Sequence, residues 1–464
     1  MSEYRPAGPP ADPGAPRIAV VGGGLAGMAA ALACADAGAT VTVLEKRAHL
    51  GGLTWSFSHD GLTMDNGQHV FLRCCTAYLD FLERIGSAGD VHLQERLDVT
   101  VLAPGPRQAV LRRDGVRAPL HLARSLLGYR HVPWAQRARM GPAVLALSRL
   151  DLDDPALDEV TFGDWLARHH QGAEAISGLW DLICLPTVNL PAHQASLAMA
   201  AKVFQTGLLT DSAAGDIGWS QVPLGELHGQ RGSAALHKAG AEVHLGEAVR
   251  SVEPAAGADR GFTVRTDKRE MSADAVVVSL PHYSTEEVLP PGALGALKPS
   301  RLESSPIVNV HVHFDRRVTD LPVAASLGTV AQWVFDRTVS SGAERGQYLA
   351  VSISAADNYI GTRPGDLGDQ VVSALRLIFP PARGAEVLST FVTREHHATF
   401  RAGVGSAAHR ASPRTRVPGL VLAGAWTSTG WPPTMEGAVR SGVAAARAAL
   451  VAAGQRRALP ALKQ

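Results

Sequence analysis

At 464 residues the chain exceeds what one ordinary hydrophobic core fills, so two units, in series or interleaved, are expected. Its 46% hydrophobic and 19% charged residues exclude a disordered chain, and a formal net charge of +1 gives no global reason to bind nucleic acid. Cys34, Cys74, Cys75 and Cys184 are too few for a disulfide scaffold, have no metal-type C-x-x-C spacing, and suit a reducing cytoplasm.

Residues 1–16, rich in Pro, Ala and Gly, lack the apolar stretch of a signal peptide and read as a loose tail. No later run is apolar for long enough to span a bilayer, so any work on lipid would be done from the membrane surface. The first predicted strand, Ile18 to Val21, stops at Gly22, and Gly22-Gly23-Gly24-Leu25-Ala26-Gly27 gives the spacing G-x-G-x-x-G. An Ala-rich helix is expected over Met28 to Ala37, with Gly38 as its stop. A second strand, Thr40 to Leu44, ends at Glu45. Strand, glycine turn, helix, strand and terminal acid in this order predict a dinucleotide site. Gly22 permits the turn, Gly24 lets backbone approach a pyrophosphate, and Gly27 lets helix and sheet pack closely. The helix N-terminus offers free N–H groups to phosphate, and Glu45 takes ribose hydroxyls.

Lys46 to Leu50 lead to a further glycine pair, Gly51-Gly52, which a simple NAD site does not need. This arrangement resembles the extended signature of the FAD-dependent amine oxidase and carotenoid desaturase superfamily, although Leu53 stands where that signature often has Arg.

Between Leu120 and Leu152 apolar residues mix with Arg124, Arg130, Arg137, Arg139 and Arg149. This pattern fits either amphipathic core helices with solvated arginines or helices lying in a membrane interface, and Pro133 divides it into two helices. Strands are then expected over Ala241 to Val252, Phe262 to Thr266, Ala273 to Leu280 and Ile307 to Phe314. The last puts Asn309, His311 and His313 on one face. Two His at period two could ligate a metal. With no third ligand nearby, a solvated or hydrogen-bonded face is the favoured reading, as it is for His169-His170 and His396-His397. Near the end, the strand Gly419 to Gly424 is followed by Thr434-Met435-Glu436-Gly437-Ala438, which opens another Ala-rich helix. That helix end suits the pyrimidine edge of a flavin, or else it only packs on the sheet.

Several stretches narrow the resemblance. They are Asp65-Asn66-Gly67-Gln68-His69, Leu179-Trp180-Asp181 to Cys184, Arg394-Glu395 with Ala398-Thr399-Phe400, and Thr429-Gly430-Trp431-Pro432 leading into Met435 to Gly442. Together they resemble the squalene-associated FAD-dependent desaturases, which act as hydroxysqualene dehydroxylases in squalene and hopanoid biosynthesis. The likeness runs from about Arg17 to Leu450. Ala425 departs from it, because an acidic residue that would hold the ribityl chain is missing.

The resemblance implies an α/β fold: a Rossmann-like, glutathione-reductase-like FAD-binding domain, discontinuous over 17–95, 226–285 and 411–455. An interleaved α+β substrate domain is expected over 96–225 and 286–410. It implies that FAD is held by Gly22, Gly24, Leu25, Ala26, Gly27, Glu45, Lys46, Gly51, Gly52, Val249, Gly424, Met435, Glu436, Gly437 and Ala438. The implied partners are a long-chain isoprenoid substrate, an unidentified electron donor and, at most, a peripheral membrane contact. No nucleic acid and no metal are expected.

Loss of an allylic hydroxyl needs a proton for the leaving oxygen, a hydride from reduced flavin and exclusion of water. Asp65, Gln68 and His69 are the first candidates for the proton. Equally, Asp65 and Gln68 could only hydrogen-bond the backbone or the flavin edge. The alternatives are a carotenoid-type desaturase or an amine oxidase, although no aromatic pair to steer an amine stands out. A prenyl-binding escort protein is the alternative without redox chemistry, though such proteins lack an intact flavin fingerprint.

Overall fold

A computed structural model of the protein describes residues 14–105, 108–255 and 261–455, so the expected tail lies, up to residue 13, outside the described residues. Five short apolar strands form one parallel sheet in the order Glu242–Leu245, Thr40–Glu45, Arg17–Val21, Ala275–Val278, Leu420–Leu422. Parallel strands need both faces covered, and the period of two divides them accordingly. Ile18, Val20, Val43, Val277 and Val421 pack under helices Leu25–Asp36 and Met435–Ala452. Val21, Leu44, Val278 and Leu422 face the opposite way, toward Val252, Phe262 and Val264 of the antiparallel meander Val249–Pro254, Phe262–Thr266, Glu270–Ala273. The two Ala-rich helices touch because Gly442 has no side chain: a Cβ there would fall 2.2 Å from the Ala26 carbonyl oxygen.

Two predicted strands divide. Ala241 to Val252 becomes Glu242–Leu245 in the parallel sheet and Val249–Pro254 in the meander, with a break at Gly246, whose φ is +63°. Ala273 to Leu280 likewise splits between the two layers around Asp274. Alternating apolar residues look alike in both layers, so the pattern alone does not show where the chain changes sheet. The first helix starts at Leu25 rather than Met28, so its first turn comes from the glycine loop itself.

A second sheet has seven strands in the order Val387–Phe400, Ser304–Phe314, Gln347–Ile353, Trp333–Asp336, Val323–Ser326, Asp98–Leu102, Gln108–Arg112. Helix Pro364–Ile378 covers one face, with Leu367, Val371 and Leu375 in one core with Val308, Val310 and Val312. Asn309 and His311 point the other way and are buried rather than solvated. His311 pairs its Nδ1 with the Tyr348 hydroxyl at 2.6 Å. Among the described residues no group of three His, Cys, Asp or Glu is arranged to hold a metal ion.

The middle helices gather around Phe162, Trp180 and Phe204, whose ring centroids lie 5.2–5.8 Å apart. Pro133 separates helix Ala123–Gly128 from Trp134–Leu147. No helix of the described residues is long and apolar enough to cross a membrane.

Candidate flavin site

At the carboxyl end of the parallel sheet, Gly22 adopts φ +101° and Gly23 donates to the Glu45 carboxylate at 2.6 Å. The second Glu45 oxygen accepts from the Arg47 N–H at 2.8 Å, so both oxygens are anchored to backbone at the edge of the loop. Gly27 presses on the loop so closely that a Cβ would meet the Gly22 carbonyl oxygen at 1.9 Å. Gly51 joins Gly24 in a short parallel bridge, and a Cβ on Gly52 would lie 2.9 Å from the Gly24 Cα. Two glycine backbones thus run side by side where side chains would collide.

The helix they introduce is capped by no side chain, and its first residues, Leu25, Ala26 and Gly27, are buried. A buried helix start without a cap is costly unless a ligand satisfies its N–H groups. A diphosphate does so, and the helix dipole favours its charge. The cradle therefore fits the diphosphate of a dinucleotide.

Lys46 is exposed. It is Arg47 that turns back, donating to the Gly52 carbonyl at 2.8 Å. A cation thus stands beside the glycine pair although Leu53 replaces the expected Arg. Sequence reading passed Arg47 over because it lies before the glycines rather than after them. Val249 opens the meander four residues beyond Leu245, whose strand partner is Glu45, so it starts near the same edge.

The C-terminal segment reaches the sheet through Gly424, at φ +138°, where a Cβ would strike the Trp426 indole at 2.6 Å. Gly424 donates to the Ser441 hydroxyl at 2.8 Å, tying the strand end to the last helix. Beyond it, Arg410 shapes the loop. Its buried guanidinium donates to the carbonyls of Thr427 (2.6 Å) and Trp431 (2.8 Å), lies 4.8 Å from the Phe400 ring, and has no carboxylate within ion-pair distance among the described residues. Burial lowers the Arg410 pKa to about 10, so it remains a cation at neutral pH.

Thr434 caps the last helix through the Gly437 N–H at 3.2 Å. The Glu436 carboxylate turns away from that helix end to accept from Tyr78 (2.7 Å), Ala77 (3.2 Å) and Arg440 (2.6 Å). It caps helix Thr76–Ile85. What Glu436 can offer a ligand at that helix end is therefore main chain.

The proposed acid cluster divides. Asp65, on the hairpin Ser56–His59 and Leu62–Asp65, accepts from Ser56 (2.6 Å), from the Leu224 N–H (2.9 Å) and from Arg337 (3.1 Å). Both partners of this ion pair are almost wholly buried. With these three donors engaged, Asp65 reads as an anchor of the hairpin, the hydrogen-bonding role of the two left open for it. Gln68 and His69 are half-buried and line, with Trp219, Leu224 and Phe335, a cavity of about water size. Asn309 braces their loop, reaching the Asn66 carbonyl and the Gln68 N–H at 3.4 Å each. His69 Nδ1 donates to the Gly67 carbonyl at 3.2 Å, and removal from water pulls its pKa below 6.5. Asn309 and Arg337 were not singled out as site residues, because each meets its partner only through a contact more than 200 residues away in sequence.

Comparison with known proteins agrees with this geometry. The profile of the flavin-containing amine oxidoreductases matches residues 25–450. A hydroxysqualene dehydroxylase of Rhodopseudomonas palustris is 26% identical over 94% of this chain and 98% of its own length. A probable zeta-carotene desaturase of Synechococcus elongatus is 24% identical over 94% and 99%. A solved putrescine oxidase superposes with a TM-score of 0.70 at 20% identity, covering 93% of this chain and 98% of its own. FAD is the cofactor that the cradle fits, the fold is the α/β one expected, and the chain is an FAD-dependent oxidoreductase that belongs to the flavin-containing amine oxidoreductase family.

Proposed function

We propose that the protein converts hydroxysqualene to squalene, a two-electron reduction in which one allylic C–O bond is replaced by C–H and water leaves. The observation that carries this reading is the Asn66 to His69 loop. It sets one carboxamide and one imidazole beside a small cavity of about water size, in a chain that matches hydroxysqualene dehydroxylases almost end to end. Bound FAD in its reduced form supplies the electron pair and its hydrogen.

The remaining work falls to the protein. Neutral His69 keeps its proton on Nδ1, bonded to Gly67, and leaves Nε2 as an acceptor. Protonated, it gains an Nε2–H that can be handed to the departing hydroxyl. The lowered pKa makes that imidazolium the stronger acid. Gln68 can hydrogen-bond the same oxygen without changing charge. Asp65 and Arg337 hold the hairpin and strand that carry the loop. A C30 chain needs no further polar contact, since each buried CH₂ contributes about 0.8 kcal/mol.

The reading includes a membrane surface as the source of so apolar a substrate. Val116, Leu120, Leu127, Trp134 and Leu145 are exposed, Leu127 and Trp134 by 79% and 74%. Between Asp114 and Asp151 there is no acidic residue, while Arg117, Arg124, Arg130, Arg139 and Arg149 stand exposed among these side chains. Large apolar groups within a purely cationic stretch suit an anionic bilayer.

A second reading, carotenoid desaturation, is favoured by the zeta-carotene desaturases of similar identity. One experiment separates the two. Reduced, FAD-loaded protein is mixed anaerobically with hydroxysqualene, and oxidised protein is incubated with zeta-carotene or putrescine in air. One squalene per flavin reoxidised is expected. Desaturated carotene without squalene transfers the assignment to the second reading, and turnover of putrescine alone removes both.

A further inference from the structure

Three cations converge on one indole beside the last helix. Lys202 Nζ lies 5.0 Å from the Trp431 ring centroid, the Arg440 guanidinium lies 4.9 Å from it, and Arg410 donates to the Trp431 carbonyl at 2.8 Å. Trp431 packs on the first turn of helix Met435–Ala452, where a Cβ on Gly437 would come within 3.6 Å of the Trp431 Cβ. Glu436 answers one of the three charges, pairing with Arg440 at 2.6 Å. Asp158 and Asp153 act on Arg410 and Lys202 only from beyond ion-pair distance, and Ala425 offers no acid. Burial lowers the pKa of both, that of Arg410 to about 10, so each is a cation short of counter-charge.

The order of the parallel sheet fixes which half of the cofactor lies toward this cluster. Glu45 ends the second strand, the glycine loop follows the third, and Gly424 lies just beyond the fifth. A dinucleotide with its adenosine toward Glu45 and its diphosphate on the glycine loop has its flavin half running on toward Gly424. Two strand spacings, about 10 Å, separate the glycine loop from that point. The loop that starts there is the one whose Thr427 and Trp431 carbonyls the Arg410 guanidinium gathers.

We propose that Arg410 and Lys202 together bias the bound flavin toward its reduced, anionic form. Two electrons and one proton add one negative charge to FAD, and two cations lacking paired carboxylates favour that charge through an interior that screens poorly. Neither has to touch the ring. Arg410, its donors spent on the loop, is a positioning residue whose charge also acts through space. This rests on FAD being the cofactor and not on the dehydroxylase reading, so every readout below is taken on flavin without substrate. Charge leaves a signature that loop-holding does not. Its removal weakens the reduced cofactor more than the oxidised one, whereas a loosened loop weakens both alike.

The test compares anaerobic dissociation constants of oxidised and reduced FAD for the parent, Lys202→Met and Arg410→Met. The ratio of the reduced to the oxidised constant is expected to rise about threefold in Lys202→Met, whose half-buried charge is partly screened. In Arg410→Met it should rise about tenfold, which is a midpoint potential about 30 mV lower. Lys202→Arg and Arg410→Lys keep the charge and should keep the parent's ratio, although Arg410→Lys, with fewer donors for the loop, binds both forms more weakly. A ratio unchanged in either Met variant overturns the proposal, and so does a common rise of both constants, because the side chains then only hold the loop. Should Arg410→Met not fold, Lys202→Met decides alone by the same ratio.

Discussion

Asp65 and Arg337 lie 272 residues apart and meet where almost no water reaches. Removing one member of such a pair strands the other, at a cost of about 3–5 kcal/mol. Arg337→Met should therefore lower the urea-unfolding free energy by about that amount, and replacing Asp65 by Asn in the same chain should restore part of it. His69 makes a prediction of a different kind. If its protonated form delivers the proton, kcat/KM should rise as pH falls through and below 6.5, because the pKa lies beneath that value. His69→Phe should flatten this limb while still binding FAD. A variant that keeps the full slope would remove His69 from the chemistry. Residues with a local signature, such as Gly22, Gly24, Gly27 and Glu45, could be read from spacing alone, since backbone within one βαβ unit fixes their geometry. Asn309 and Arg337 could not, because their meaning depends on partners set by tertiary packing.

Among the elements, the helices between Ala123 and Leu147 stand out for what they leave uncovered. Leu127→Ser with Trp134→Ser should reduce cosedimentation with vesicles rich in anionic lipid several-fold. Raising salt should weaken the parent's binding, since the arginine contribution is screened. Binding that responds to neither would point to ordinary solvated helices. The amphipathic pattern was plain in the sequence, but which side meets solvent was not. Tyr129, Met140, Ala143 and Leu147 turn inward, while Leu127 and Trp134 do not. Strand boundaries show the same limit. Gly246 and Asp274 mark places where the chain leaves one layer for another, although hydrophobic alternation continues on both sides.

For the whole molecule, acid should be an effective denaturant. His228 and His311 have pKa values of about 3 and His282 about 4, each lowered chiefly by burial. Unfolding restores an ordinary value near 6.5, so below that pH the unfolded chain binds more protons. The stability held by keeping these rings neutral is complete above pH 6.5 and is lost as pH falls toward their folded values. Each contributes at most about 1.4 kcal/mol per pH unit. Urea midpoints should fall steeply between pH 7 and pH 5, and replacing His282 or His311 by Asn or Gln should make that fall shallower.

The parallel sheet draws its strands from residues 17–45, 242–278 and 420–422, and this sets an order of events during synthesis. The glycine loop leaves the ribosome early, but its helix partner and the turn at Glu436 follow only about 400 residues later. At about 5–20 residues per second the gap lasts about 20–80 s. The meander and the strand Ala275–Val278 that cover Val21 and Leu44 emerge midway through that interval, but the last strand and the last helix come only at its end. A message cut short before Met435 yields a protein without the last helix of its coenzyme pocket, so a yellow colour certifies that translation reached that helix.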